Sequence, residues 1–345
     1  HVPAILSESK ETHYTDNSTF NFNVRVHDGA FLKKLILLPL VVSDGSSIRG
    51  KYNNLNSFSE FSAHIEKLIY KESALDNLSL HLKSQASGAG LLLQGRKNIF
   101  NDDIQFVLGA QLHDNILETN VEWDGVNHHS FYGNISTLTN VLSKDEIITS
   151  VIPSTVHIED SVWNISSGEI VIKNKEPHFN NLILNTNNQK LAISGGLSDN
   201  KHDSLQITLD NIDVGYILDK LNFTSVLFDG YATGKVLLSL NSSTPFLQTN
   251  LLVDSFRFNN TNLGDAKLTG KWKTYSLPIE IKGEFIEDKV SCTKAEGHIH
   301  PSKDSIDLHI IADNTNIEFL RYWVNNITEN ISGRTSGNCR LYGTF

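Results

Sequence analysis

The chain is organised around a unit that occurs twice. One copy reads Asp203-Ser204-Leu205-Gln206-Ile207-Thr208-Leu209-Asp210-Asn211-Ile212-Asp213-Val214 and closes on Gly230-Tyr231-Ala232-Thr233-Gly234-Lys235-Val236-Leu237-Leu238. The other opens at Asp304-Ser305, passes Asp313-Asn314-Thr315-Asn316-Ile317 and closes on Gly333-Arg334-Thr335-Ser336-Gly337-Asn338-Cys339-Arg340-Leu341. Asp210 and Asp313, Asn211 and Asn314, Gly230 and Gly333, and Gly234 and Gly337 are all 103 positions apart (313 − 210 = 103), whereas Asp203 and Asp304 are 101 apart. The second copy therefore carries two extra residues in its first strand. Such an insertion keeps every side chain on its face, where a single residue would flip them all. Leu205, Ile207 and Leu209 alternate with polar residues, as do Val236, Leu238 and Leu240, which is the period of a half-buried strand. Asp210-Asn211 is turn chemistry, and Val214, Ile217, Leu218 and Leu221 stand at helical spacing within Ile212 to Leu221. The unit reads as strand, turn, short helix, glycine-bounded turn, strand. Arrays of such units build an elongated sheet in which each repeat completes its neighbour's core.

The rest of the chain follows the same period. Phe20, Phe22, Val24 and Val26 alternate, and the apolar run Leu35 to Val42, interrupted by Pro39, reads as a buried strand. Leu75-Asp76-Asn77-Leu78-Ser79-Leu80-His81-Leu82 is a further strand, echoed by Phe179-Asn180-Asn181-Leu182-Ile183-Leu184. Ile104 to Leu112 and Leu117 to Trp123 alternate on either side of Asp114-Asn115, predicting a long antiparallel hairpin. Ser87-Gly88-Ala89-Gly90 lies between strands, so it reads as a turn or a bulge and not a phosphate loop. The fold class expected is all-β: an elongated, repetitive β-groove with short helices between strand groups. Residues 1–152 form one segment; residues 153–345 form a second that holds the two repeats of about 100 residues, with the boundary ahead of Pro153.

Charge and hydropathy limit the partners. A net charge of −10 disfavours nucleic acid and anionic membrane surfaces. No window approaches the ~18 uninterrupted apolar residues of a transmembrane helix. The chain opens at His1 without a leader and stops as the second repeat closes, which reads as an internal piece of a longer protein. Cys292 and Cys339 are too few for a disulfide framework and read as unpaired buried thiols, with pairing left open.

Chemistry-bearing clusters are sparse. His298 and His300 share a strand face near Cys292, but no third or fourth ligand is spaced to complete a metal site, so no metal or other cofactor is expected. His128-His129 would point to opposite faces. Asp102-Asp103, Glu159-Asp160 and Glu287-Asp288 lie beside turns or strand ends, where solvated carboxylates are expected, and no nucleophile elbow occurs, so the chain reads as non-enzymatic. The sequons at Asn77, Asn134, Asn164, Asn222 and Asn326 follow from the abundance of Asn, Ser and Thr. Trp123, Trp163, Trp272 and Trp323 read as core anchors.

A sheet with one apolar face must hide it against a second sheet, close into a barrel, or offer it to an apolar guest. At about 25 cal/mol per Å² a wet trough is costly, and an acyl chain would fill it. The residues expected to line such a groove are Leu205, Ile207, Leu209, Val236, Leu238, Leu308 and Ile310. Ordinary core is the alternative reading of each.

The segments Pro153-Ser154-Thr155-Val156-His157-Ile158-Glu159-Asp160-Ser161-Val162-Trp163-Asn164-Ile165, Leu191-Ala192-Ile193-Ser194-Gly195-Gly196 and Leu209-Asp210-Asn211-Ile212-Asp213-Val214 resemble the middle of TamB proteins. So do Phe228-Asp229-Gly230-Tyr231-Ala232-Thr233-Gly234, Asn262-Leu263-Gly264-Asp265-Ala266-Lys267-Leu268 with Trp272, and Ile331-Ser332-Gly333-Arg334-Thr335-Ser336-Gly337. TamB is the inner-membrane component of the translocation and assembly module, in the AsmA-like superfamily, and the likeness is greatest to the Bacteroidetes form. It covers residues 153–345; residues 1–152 match in general character only. The resemblance implies a periplasmic β-groove that moves phospholipid between the inner and outer membranes and supports outer-membrane protein assembly. It also implies an N-terminal inner-membrane helix and a C-terminal region engaging an outer-membrane assembly barrel, TamA or its equivalent, both in parts of a parent protein not present here. The competing expectation is a structural, adhesin-like β-repeat module with a closed core. A third, an all-β carbohydrate-active enzyme, would need a convergent acidic pair among aromatics.

Overall fold

Alternating side chains over long stretches, punctuated by Asn, Asp and Gly, leave the backbone one good solution, an antiparallel meander. The computed structural model describes residues 18–29, 40–55, 57–70, 73–99, 102–127, 130–198, 203–215, 227–239, 246–274, 277–287, 291–300, 305–321 and 331–344. Two compact units divide at Lys175/Glu176. Pro153 lies inside a strand.

The first unit comprises β1 (Thr19–Arg25), β2 (Leu40–Val42), β3 (Ser47–Asn53), β4 (Phe58–Tyr70), β5 (Ser73–Gln85), β6 (Gly88–Ile99), β7 (Asp102–His113), β8 (Ile116–Gly125), β9 (Phe131–Ser143), β10 (Glu146–Ile158), β11 (Ser161–Ile165) and β12 (Gly168–Lys173). From β3 to β10 each strand pairs antiparallel with the next; β1 pairs with β3, β2 with β4, and β10 with both β11 and β12. The hairpin expected around Asp114-Asn115 is β7–β8, in register from Ile104↔Gly125 to His113↔Ile116.

The second unit comprises β13 (Glu176–Asn185), β14 (Lys190–Gly196), β15 (Leu205–Asp213), β16 (Phe228–Ser239), β17 (Phe246–Phe258), β18 (Thr261–Asn262), β19 (Asp265–Trp272), β20 (Ile279–Glu287), β21 (Ser291–His300), β22 (Ser305–Asn316) and β23 (Arg334–Thr344). It too is an antiparallel meander, with β17 pairing both β18 and β19. The architecture is thus the repetitive all-β one expected. Among the described residues helical backbone stands at residue 29, at 214–215 and at 318–321, of which Glu318–Leu320 is a 3-10 turn.

One expectation is corrected. Asp210-Asn211 is not a turn and Ile212 does not begin a helix. The strand continues through Asp213, and the ladder to β16 skips between Leu209 and Ile212, which marks a β-bulge. Asn211 sits at φ +54, the left-handed conformation that Asn tolerates better than other side chains. Helical backbone starts at Val214, and Ile217, Leu218 and Leu221 lie outside the described residues. The second copy repeats the device: β22 skips between Ala312 and Thr315, with Asn314 at φ +52. Each bulge is tied down in the same way. The Asn211 N–H donates to Thr233 Oγ1 at 3.0 Å, and the Asn314 N–H to Ser336 Oγ at 2.9 Å. Thr233 and Ser336 are also 103 apart (336 − 233 = 103), so the clasp belongs to the repeat.

The bulge resets the side-chain period. Before it Leu205, buried, shares a face with half-buried Ile207 and Leu209; after it Ile212 is buried and Val214, like Leu209, packs against the buried cluster. Asn77 (φ +51) and Asn181 (φ +53) do the same in β5 and β13, each followed by a covered Leu, Leu78 and Leu182. Beyond the bulge in β15 Ile212 is fully buried. Ala232, Val253, Phe256, Leu263, Ala266 and Phe319 form a buried cluster, with Leu209, Val214, Phe285 and Leu320 packed against it.

Candidate functional site

The seven expected groove residues all fall on one face of the second unit's sheet, because its ladder brings them into three adjacent rows across the strands. Leu205 and Leu238 share a row with Leu247 and Trp272. Ile207 and Val236 lead through Thr249, Gly270, Ile281 and Gly297 to Leu308 and Leu341. Leu209 leads through Gly234, Leu251, Leu268, Gly283 and Ala295 to Ile310 and Cys339. The fourth row, Ile212, Ala232, Val253 and Ala266, is the sealed one, with exposures of 1–2%. Of the seven, only Leu205 is buried; the other six are half-buried. The face is therefore closed along one margin and partly open over the next three rows.

Leu251, Leu268, Ile281 and Leu341 belong to the same face and were not singled out from sequence. Glycines hide them: Gly234, Gly270, Gly283 and Gly297 occupy inward positions, so the apolar alternation breaks wherever the row crosses one. At Gly283 the missing side chain's space is taken by Phe285 and Leu268, whose atoms would lie 3.0 and 3.2 Å from an added Cβ. A neighbouring ring laid over a strand glycine keeps the apolar face continuous.

The opposite face is polar. Lys282 pairs with Glu296 at 3.6 Å and Lys294 with Glu284 at 3.5 Å, each directly across the β20–β21 ladder. Arg340 forms two hydrogen bonds to the Asp307 carboxylate, 2.7 Å each, and these hold Asp307 below the usual carboxylate range. The unit is two-faced: ion pairs on one side, where Leu252 and Ile311 also stand exposed, and half-covered Leu, Ile and Val on the other.

The first unit repeats this arrangement. Phe61, Leu82, Leu91 and Ala110 form one apolar row, and Ala63, Leu80, Leu93, Leu108, Val121 and Ile135 the next. Where the first of these rows reaches β8 and β9 it turns hydroxylic, Thr119 and Thr137 sharing a hydrogen bond at 2.5 Å, and in the row of Leu112 and Leu117 beside it Thr139 and Thr149 share one at 3.0 Å.

The remaining candidates separate. His298 and His300 do share one face of β21, with rings 6.3 Å apart; among the described residues no three His, Cys, Asp or Glu converge as a metal site. Asp102, expected to be solvated, is 4% exposed and accepts the Asn127 N–H through Oδ1. Val126 and Asn127, just after β8, bond to this strand start, which the local sequence does not announce. Glu159 and Asp160 are exposed, as expected at a turn. Glu287 binds Arg334 at 2.6 Å, and Arg334 also donates to the Asn314 carbonyl at the second bulge. Both cysteines are free. Cys292 is half-buried, but Cys339 is exposed, contrary to the expectation of a buried thiol, because among the described residues β23 has only β22 beside it. Trp163 is buried, while Trp123 and Trp272 are half-buried. Trp323, Leu240, His128, His129, Asp288 and the sequons at Asn222 and Asn326 lie outside the described residues.

Fold and face together define an all-β repeat protein with a long, half-covered apolar surface. No protein-family model, curated protein or solved structure matches the chain. The likeness to TamB proteins rests on the sequence segments alone.

Proposed function

We propose that the apolar face of the second unit contacts phospholipid acyl chains, and that the chain is a non-enzymatic, periplasmic segment of a TamB-like envelope protein. In this reading it lines a route for lipid between the inner and outer membranes and supports outer-membrane assembly. Engagement of an assembly barrel would fall to other parts of such a protein. The observation that carries the proposal is the half-exposure of six residues, Ile207, Leu209, Val236, Leu238, Leu308 and Ile310, in contiguous rows beside a sealed fourth row. A sandwich or barrel core would cover all four rows alike. An acyl chain recovers roughly 0.8 kcal/mol for each CH₂ it buries, so a few turns of contact make a useful site.

The test is native mass spectrometry with lipid extraction on protein purified from a bacterial envelope. Bound phospholipid should be present in the wild type and lost in Ile207→Asp and Leu308→Asp, both half-exposed positions where an Asp reaches water. Folded wild-type protein that carries no lipid and takes up no acyl-chain probe would replace this reading with the closed, adhesin-like scaffold.

A further inference from the structure

The first unit has a second surface, on the face opposite its Leu91–Leu93–Leu108 rows. Two hollows lie there. One, of about 780 Å³, is bounded by Gln105, Glu122, Asp124, Tyr132, Asn134 and His157. The other, of about 540 Å³, is bounded by Gly90, Leu92, Gly109, Gln111, Glu118 and Asn120. They are consecutive along the strands: the row Val107, Glu122, Asn134, Thr155 borders the row Gly109, Asn120, Ser136, Ile152. From Gln105 to Gln111 the strand rises about 20 Å at ~3.3 Å per residue. The two hollows thus follow one another along β7 and β8 as a groove in two parts; where they meet, Asn120 donates to Glu122 Oε1 and accepts from Ser136.

Its floor differs from every apolar row described above. A Cβ added at Gly109 would meet no atom within 4 Å, and one at Gly90 only a backbone oxygen at 3.9 Å. At Gly95, on the other face, Leu78 and Phe106 already occupy that space. The glycines on this face leave room that no neighbour fills.

We propose that this groove binds a linear, uncharged glycan. A pyranose has an apolar C–H face ringed by hydroxyls, and the groove offers both complements. Tyr132 and His157 stack on each other at 4.2 Å and 10°, so one face of each ring is taken up by the other and the pair walls one end, and Leu92 is 41% exposed at the other. Between them stand carboxylates, amides and hydroxyls that can accept from and donate to sugar hydroxyls. Glu118, Glu122 and Asp124, with Lys83 at the margin, repel an anionic polysaccharide or a nucleic acid. An acyl chain would strip water from these same groups without replacing their hydrogen bonds. A peptide strand adds to sheet edges, whereas this is a sheet face.

Isothermal titration of the full chain with cellotetraose and chitotetraose tests the proposal. At least one should bind with Kd at or below ~1 mM. Gly109→Trp, which enters open space and blocks the groove midway, should weaken it at least tenfold; Glu122→Gln serves as a second variant should the first not fold. A sulfated heparin tetrasaccharide should not bind. Leu308→Asp, the lipid-face variant, should leave glycan binding unchanged, so the two proposals fail separately. No binding of either tetrasaccharide at ~10 mM, or binding that survives blockage of the groove, would overturn the inference.

Discussion

Replacing Asn211 tests whether the duplicated Asp-Asn pair works as a bulge. The structure holds Asn211 at φ +54, with its N–H on Thr233 Oγ1 and its Nδ2–H on the Asn188 carbonyl at 2.9 Å. A β-branched residue in the left-handed region costs about 1–2 kcal/mol. Losing an exposed side-chain hydrogen bond adds about 0.5 kcal/mol. Asn211→Val should therefore destabilise the second unit by about 2 kcal/mol, a fall of roughly 4–8 °C in Tm for a unit of this size. Asn211→Gly also loses the Nδ2 bond but sits at φ +54 without strain, so its stability should lie within about 0.5 kcal/mol of wild type. Asn314→Val and Asn314→Gly should reproduce the contrast in the second copy. Thermal and urea unfolding followed by circular dichroism read all four. If Val and Gly are equivalent at both sites, the left-handed bulge is refuted, and with it the account of how Ile212 reaches the sealed row.

Two further outcomes follow from the second unit. Asp307 is held low by its hydrogen bonds from Arg340, so its contribution to stability is present above the carboxylate's unfolded pKa and is lost as pH falls through the depressed folded value; a carbon-13 carboxyl titration should show Asp307 moving up towards the ordinary range in Arg340→Gln. Thr293 and Thr315 are buried and joined by a hydroxyl–hydroxyl hydrogen bond. Thr293→Val alone should cost about 1–3 kcal/mol by orphaning its partner, while the Thr293→Val/Thr315→Val pair should recover most of that in a double-mutant cycle; equal losses in single and double variants would contradict the pairing.

The sequence alone determined the class of fold. Period-2 alternation is a local property, and a meander follows wherever turn residues separate alternating runs of sufficient length, as around Asp114-Asn115. It also determined which side chains belong together: Leu205, Ile207 and Leu209 share a face for the same geometric reason that Leu308 and Ile310 do. Only the tertiary structure decided whether Asp210-Asn211 turns the chain or bulges it, because both use the same left-handed Asn and the choice lies with Thr233 on the neighbouring strand. Only it extended the face across Gly270, Gly283 and Gly297, where the pattern falls silent; at Gly283 the Phe285 ring of the same strand and Leu268 of the next fill the gap. Burial divided in the same way. Asp102 and Ala232 are covered, and Cys339 is not, by what the ladder places beside them, and no alternation along a single strand encodes its neighbours.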